Sequence, residues 1–92
     1  MKFEWDESKN RLNKRKHGID FSDVAGVFDL PMVTFLDSKK EYGEDRWVGI
    51  GWLREVLVVV VFTERGENIV RLISARRALK HEEQIYGNEI GN

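Results

Sequence analysis

Residues 69–86, IVRLISARRALKHEEQIY, begin with the two-residue period of a strand and end with the spacing of a helix. Ile69, Arg71 and Ile73 alternate with Val70, Leu72 and Ser74, which sets one row of side chains toward a core and the other away from it. Ser74 stands where a helix N-cap belongs, and Ala75, Ala78, Leu79, Glu82, Ile85 and Tyr86 fall at helical spacing after it. Gly87-Asn88 supplies a stop. Four cations, Arg71, Arg76, Arg77 and Lys80, bracket the expected strand-to-helix junction. A helix N-terminus itself favours anions, so the junction points to phosphate and, through phosphate, to nucleic acid.

Upstream of this stretch the chain reads as strands. Val56 to Phe62, VLVVVVF, is a continuous run rich in β-branched residues, the pattern of a central strand covered on both faces. Glu64-Arg65-Gly66-Glu67 turns it back into Ile69–Ser74 as an antiparallel hairpin. Arg46 to Trp52 and Met32 to Leu36 are two further strands, separated by a polar loop from Asp37 to Asp45 with Gly43 as its flexible point. Lys2 to Trp5 is an edge-strand candidate. Asp6 is suited to cap a helix from Glu7 to His17, which Gly18 ends. That helix carries Leu12 as its only aliphatic residue, so it lies mostly at the surface. Ser22 or Asp23 caps a second short helix with Val24, Ala25, Val27 and Phe28 as its apolar positions, broken at Asp29-Leu30-Pro31. Strand, two helices, four strands and a helix predict an α+β domain over residues 1–92. It is an antiparallel meander with helices on one face, burying Phe3, Phe21, Val24, Phe28, Leu72, Leu79 and Ile85.

Composition narrows the function. The chain has no cysteine, so disulfides, thiol nucleophiles and cysteine zinc sites are excluded. It has no long apolar run and a polar N-terminus, which predicts a cytoplasmic protein with no membrane span. The net charge of −1 conceals segregation. Lys9, Arg11, Lys14, Arg15 and Lys16 form one basic block without an acid, and residues 69–80 form another. Such blocks on a near-neutral chain suit a local anion site, or simply a solvated face. No Gly-x-Ser-x-Gly elbow, metal-ligand histidine spacing or glycine-rich phosphate loop is present, so neither a metal nor a nucleotide cofactor is expected.

Cations, carboxylates and rings remain. Cleaving RNA without a metal requires a base for the 2′-hydroxyl, an acid for the leaving oxygen and cations for the phosphorane. Arginine supplies permanently charged forks, and His17 is a candidate acid or base. His17 also has a plainer reading, an imidazole capping helix carbonyls beside Gly18. Tyr86 can stack on a base, or close the core with its hydroxyl bonded to backbone. Arg71 can bind phosphate, or pair with Glu44 or Glu64.

Several short signatures line up in order: Phe3-Glu4-Trp5-Asp6, Lys9, Asn13, Lys16-His17-Gly18-Ile19 with Phe21, Gly43-Glu44-x-Arg46 with Ile50-Gly51, Arg71-x-Ile73-Ser74-Ala75-Arg76-Arg77-Ala78, and Tyr86. In that order and spacing, over nearly the whole chain, they resemble the BrnT family of toxins from bacterial type II toxin–antitoxin systems. The resemblance implies a fold similar to the RelE and ParE toxins and a metal-independent endoribonuclease that inhibits translation and growth. It implies a cognate BrnA-like antitoxin of ribbon-helix-helix type, joined in a hetero-oligomer, with operator DNA bound only through that complex. It places catalysis on His17, Glu44, Arg76, Arg77 and Tyr86, with His17 and Glu44 moving protons and Tyr86 stacking or donating one. It places RNA binding on Lys16, Arg46, Arg71 and Lys80. The chain departs from the family pattern at Leu79, where threonine is usual, and at Glu83 and Gln84, where arginines are common. The competing reading is a non-catalytic protein- or nucleic-acid-binding module, or a decayed toxin, of the same fold.

Overall fold

The computed structural model describes residues 1–37 and 44–90, so most of the loop that contains Tyr42 and Gly43 lies outside the described residues. In order the elements are β1 (Lys2–Glu4), α1 (Glu7–His17), α2 (Phe21–Val24) running into a 3-10 turn (Ala25–Asp29), β2 (Val33–Leu36), β3 (Trp47–Leu53), β4 (Val56–Glu64), β5 (Ile69–Arg77) and α3 (Lys80–Glu89). The strands form one sheet in the order β1-β5-β4-β3-β2. β2 to β5 make the expected antiparallel meander, while β1 joins β5 in parallel.

β4 is the middle strand, and its apolar run is buried on both faces. Val58, Val60 and Phe62 pack with Ile19, Phe21, Val24, Val27, Val70, Leu72 and Ala75 under α1 and α2. Leu57 and Val59 pack with Ile50 and Tyr86 on the other face, beneath α3. The helices therefore cover both faces, not the single face expected. The residue α3 buries is Tyr86; Leu79 is 56% and Ile85 38% exposed.

β5 runs three residues further than its sequence suggests. Arg77 still pairs with Val58, so Ala75, Arg76 and Arg77 are extended, and Ser74 caps nothing. The long β4 offers ladder partners that outweigh the helical spacing of 75–79. The register shifts between Val61 and Phe62, whose partners are Ser74 and Leu72, so Ile73 is the extra residue of a bulge. The bulge resets the alternation and puts Ala75 on the same face as Leu72. The helix starts only at Lys80, with Leu79 at the N-cap in extended geometry and no side-chain cap. Half of a capping box remains, because the Glu82 carboxylate accepts the Leu79 N–H at 2.8 Å. Gly87-Asn88 does not stop this helix, which continues to Glu89.

α1 holds to the sequence reading. Asp6 accepts the Ser8 N–H at 2.9 Å, and Gly18, at φ 72°, ends the helix in the left-handed conformation. The cap of α2 is Asp20, which accepts from Ser22, in place of Ser22 or Asp23. What the sequence conceals is that α1 docks through amides. Asn13 donates to the carbonyls of Ile19 (3.0 Å) and Ala75 (2.9 Å) and accepts the Ala75 N–H at 3.1 Å. It thus acts as a one-residue strand on the edge of β5 beyond the end of β1. Asn10 accepts the Phe21 N–H at 2.9 Å and donates to Asp20 at 3.0 Å. Gly51 serves packing: a Cβ there would lie 2.8 Å from Val27 Cγ1, so the 3-10 turn rests directly on the β3 backbone.

Two stability predictions follow from these contacts. Asn13→Leu leaves the Ala75 and Ile19 backbone groups buried and unpaired, and should cost roughly 2–5 kcal/mol in denaturant unfolding. Leu79→Ser restores an N-cap oxygen on an exposed position and should add about 1 kcal/mol, read as a higher Tm.

Candidate functional site

α1 ends in Lys14, Arg15, Lys16 and His17, and the Gly18 turn stations this cationic end beside the last residues of β5. The Gly18 N–H donates to the Lys14 carbonyl at 2.8 Å, so the backbone caps the helix there. Two hollows meet at His17. One, of about 530 Å³, runs between α1 and the β5 edge and is lined by Lys9, Leu12, Arg15, Lys16, Ile73 and Ser74. The other, of about 580 Å³, opens where β3 turns into β4 and holds Arg54, Glu55 and Arg77 over Leu53, Val56 and Val58. Among the described residues, the side chains of Lys16, His17 and Arg77 make no hydrogen bond or ion pair. Their donors are available to a ligand.

Arg76, one residue earlier, is on the opposite face and is occupied. Its guanidinium grips both Glu82 carboxylate oxygens, at 2.8 and 2.7 Å, and also reaches the Arg77 carbonyl at 3.2 Å. Hydrogen bonding to Arg76 holds the Glu82 carboxyl below its ordinary range, although partial burial opposes this, and the same bond raises Arg76. Lys80 opens α3 just after this pair. Tyr86 is buried, donates its hydroxyl to the Pro31 carbonyl at 3.1 Å and meets Trp52 edge-on at 6.1 Å. Its ring closes the core of the α3 face.

The remaining expected site residues lie at the far end of the sheet. Arg71 donates to Glu4 at 3.0 Å, not to Glu44 or Glu64. Glu44 lines an acidic hollow with Asp45, Thr63 and Glu64, and the Arg46 carbonyl accepts the Asp37 N–H at 2.8 Å just before β3. Val58 beside His17 and Glu64 beside Glu44 are six strand steps apart, about 20 Å. His17 and Glu44 are therefore not brought to one phosphate. Of the expected set, the structure places His17 and Arg77 on one hollow, where it adds Glu55 and Arg54, and Lys16 on the adjoining hollow that shares His17. These two carry no signal in the sequence beyond a turn between strands.

A family model described as the ribonuclease toxin BrnT of type II toxin–antitoxin systems matches residues 5–82. The chain belongs to the BrnT family. A crystal structure of the Brucella abortus ribonuclease toxin BrnT aligns with a TM-score of 0.72 at 33% identity, covering 87% of this chain and 99% of that one. A comparison with curated proteins gives no match. A type II family implies a protein antitoxin as partner. BrnT membership agrees with the mixed five-stranded sheet and three helices. No helix among the described residues is long and apolar enough to cross a membrane.

The Arg76–Glu82 pair also predicts a pH dependence. Glu82 has a lower pKa folded than unfolded, as do Asp20, held mainly by the Ser22 N–H, and Asp6, held mainly by the Ser8 hydroxyl. Their stabilisation is present above the unfolded carboxyl values of about 4 and is lost as pH falls through the folded ones. Tm should hold from pH 7 to 5 and drop below about pH 4. Glu82→Gln should lower Tm at pH 7 and flatten that acid drop.

Proposed function

We propose that this chain is the toxin of a type II toxin–antitoxin pair and an endoribonuclease that works without a metal at the cleft between His17 and Arg77. The observation that carries this reading is the parting of two adjacent arginines. Arg76 is clamped by Glu82 while Arg77 is left available beside an available imidazole. A permanently charged fork next to an imidazole, a side chain able to give or take a proton, is what in-line cleavage of a phosphodiester needs.

In this reading the RNA phosphate sits on Arg77 and Lys16. His17 and Glu55 are the proton-transfer pair, in place of His17 and Glu44. One of them removes the 2′-hydroxyl proton, and the 2′-oxygen attacks phosphorus. The bond to the 5′-oxygen breaks, and that oxygen takes a proton from the other group. The products are a 2′,3′-cyclic phosphate and a 5′-hydroxyl. Arg77 stabilises the charge that builds on the phosphorane oxygens, the work a metal would otherwise do. Arg76 and Tyr86 support the fold on the α3 face, Lys80 is exposed at the start of α3, and Arg71 and Glu44 stand apart.

A RelE/ParE-like ancestry, inhibition of translation and growth, and a cytoplasmic location belong to the same proposal, as does a BrnA-like ribbon-helix-helix antitoxin in a hetero-oligomer. An antitoxin with an acidic segment over the Lys16–His17–Arg77 ridge would neutralise the toxin by occlusion, and operator DNA would be bound through the antitoxin. The competing reading, a module that binds RNA or protein without cutting, predicts salt-dependent RNA binding and no new ends.

Induction of the chain in bacteria should arrest growth, and co-expression of its antitoxin should restore it. His17→Ala and Arg77→Ala should each reduce RNA cleavage by about 10²–10³-fold with unchanged Tm. Arg76→Ala should act mainly by lowering Tm, and Glu44→Gln should leave cleavage unchanged. Full activity in both His17→Ala and Arg77→Ala would remove the site from this cleft.

A further inference from the structure

Arg54 occupies the tip of the turn from β3 to β4 with φ 54°, the left-handed region that favours glycine or asparagine. A long side chain there carries a backbone cost, and non-glycine residues held in such conformations concentrate at functional sites. Nothing local offsets that cost. The Arg54 side chain is 73% exposed and touches Asp23 at 3.3 Å, an ion pair too open to contribute much. The hairpin would be made better by glycine at this position, so the guanidinium needs another reason to be here.

The cleft supplies one. Arg54 stands on its rim with His17 and Arg77, and Leu53 and Val56 lie on its apolar side. A volume of about 580 Å³ leaves room for a base and its sugar. Apolar wall offers nothing to phosphate, but it suits the flat face that every nucleobase presents. A planar guanidinium stacks on the opposite face of such a ring. Bases inside an A-form duplex are stacked and cannot enter a pocket of this kind, whereas a base in a single strand or loop can be splayed out.

We propose that this cleft receives one unpaired RNA nucleotide, with its base between Leu53–Val56 and the guanidinium of Arg54. The proposal rests on the ribonuclease reading and narrows its substrate to unpaired RNA. Arg54 is a substrate-binding residue whose strained backbone is kept for that contact.

The test uses the whole chain and a 2′-O-methylated oligoribonucleotide, which binds but is not cut, offered as a single strand and as a blunt duplex with its complement. Binding is followed by fluorescence anisotropy at fixed salt, and Tm is measured in parallel. The wild-type protein should bind the single strand at least tenfold more tightly than the duplex. Arg54→Gly should raise Tm and lose most of that preference, and Arg54→Lys, which keeps the charge but not the planar fork, should recover only part of it. Equal affinity for single strand and duplex, or an Arg54→Gly protein that binds like wild type, would overturn the proposal. If the wild-type protein still cleaves RNA in that event, the ribonuclease reading stands and only the nucleotide pocket falls. If it neither cleaves nor binds RNA, both fall together.

Discussion

The amide of Asn13 holds the edge of β5, and the candidate site is built around that contact. β1 is three residues long and covers only the first part of β5, through Arg71. Beyond it the strand would present unpaired N–H and C=O groups, a liability that sheets meet by covering or pairing the edge. Asn13 pairs with both groups of Ala75 and at the same time with the Ile19 carbonyl, so one side chain joins α1, β5 and the segment that leads into α2. A helix with so little apolar surface cannot dock by burial alone. Its buried positions are the two asparagines, and their bonds fix its height and rotation over the sheet. Lys16 and His17 take their places from that docking.

The bulge at Ile73 has a matching role on the strand. It restores an inward residue at Ala75 after the row of Val70 and Leu72, which sends Arg77 toward α1 and Arg76 toward α3. Two identical side chains in sequence thereby acquire different chemistry. Arg76 becomes a clamp for the uncapped start of α3, where Glu82 serves both the guanidinium and the Leu79 N–H. Arg77 keeps its donors for the cleft. A hydroxyl side chain at position 79 would cap α3 by itself; with leucine there, the Arg76–Glu82–Leu79 linkage carries more of the load.

Most of the fold was legible because it depends on local signals: a capping aspartate, a left-handed glycine, a β-branched run and a glycine hairpin. The boundary between β5 and α3 was not, because residues 75–79 are compatible with either state and β4, distant in sequence, decides between them. The placing of helices on both faces was hidden for a related reason. A run buried on both sides reads the same whether helices or loops cover the second face. For the candidate site, the basic blocks and His17 were visible in the sequence, and the family resemblance pointed to Lys16, His17 and Arg77 among others. Composition could not tell which cations were occupied. Arg71 and Arg76 are as basic in sequence as Arg77, and only the placement of Glu4 and Glu82 separates them. Glu44 is the carboxylate the motif offers, and the structure places it in the hollow at the far end of β4 from His17. Glu55 and Arg54 were hidden because a two-residue turn carries no chemical signature.

The near-neutral net charge takes on meaning once the charges are placed. Lys16, His17 and Arg77 gather at one end of β4, and Glu44, Asp45 and Glu64 line a hollow at the other. At physiological ionic strength a charge is screened within about 8 Å, so two ends some 20 Å apart act as separate surfaces. The cations differ in occupancy as well as place: Arg65 and Arg71, toward the Glu64 end, are paired with Glu4, whereas Arg77 lines the hollow at the other end with His17. A wholly basic coat would bind RNA in many registers, most of them away from the imidazole. In the proposed reading, open cations at the end where His17 and Arg77 stand would place phosphate there, and an acidic segment of the antitoxin would have a single ridge to cover. In that reading, the same cations that would guide a substrate into the cleft would make the cleft easy to block.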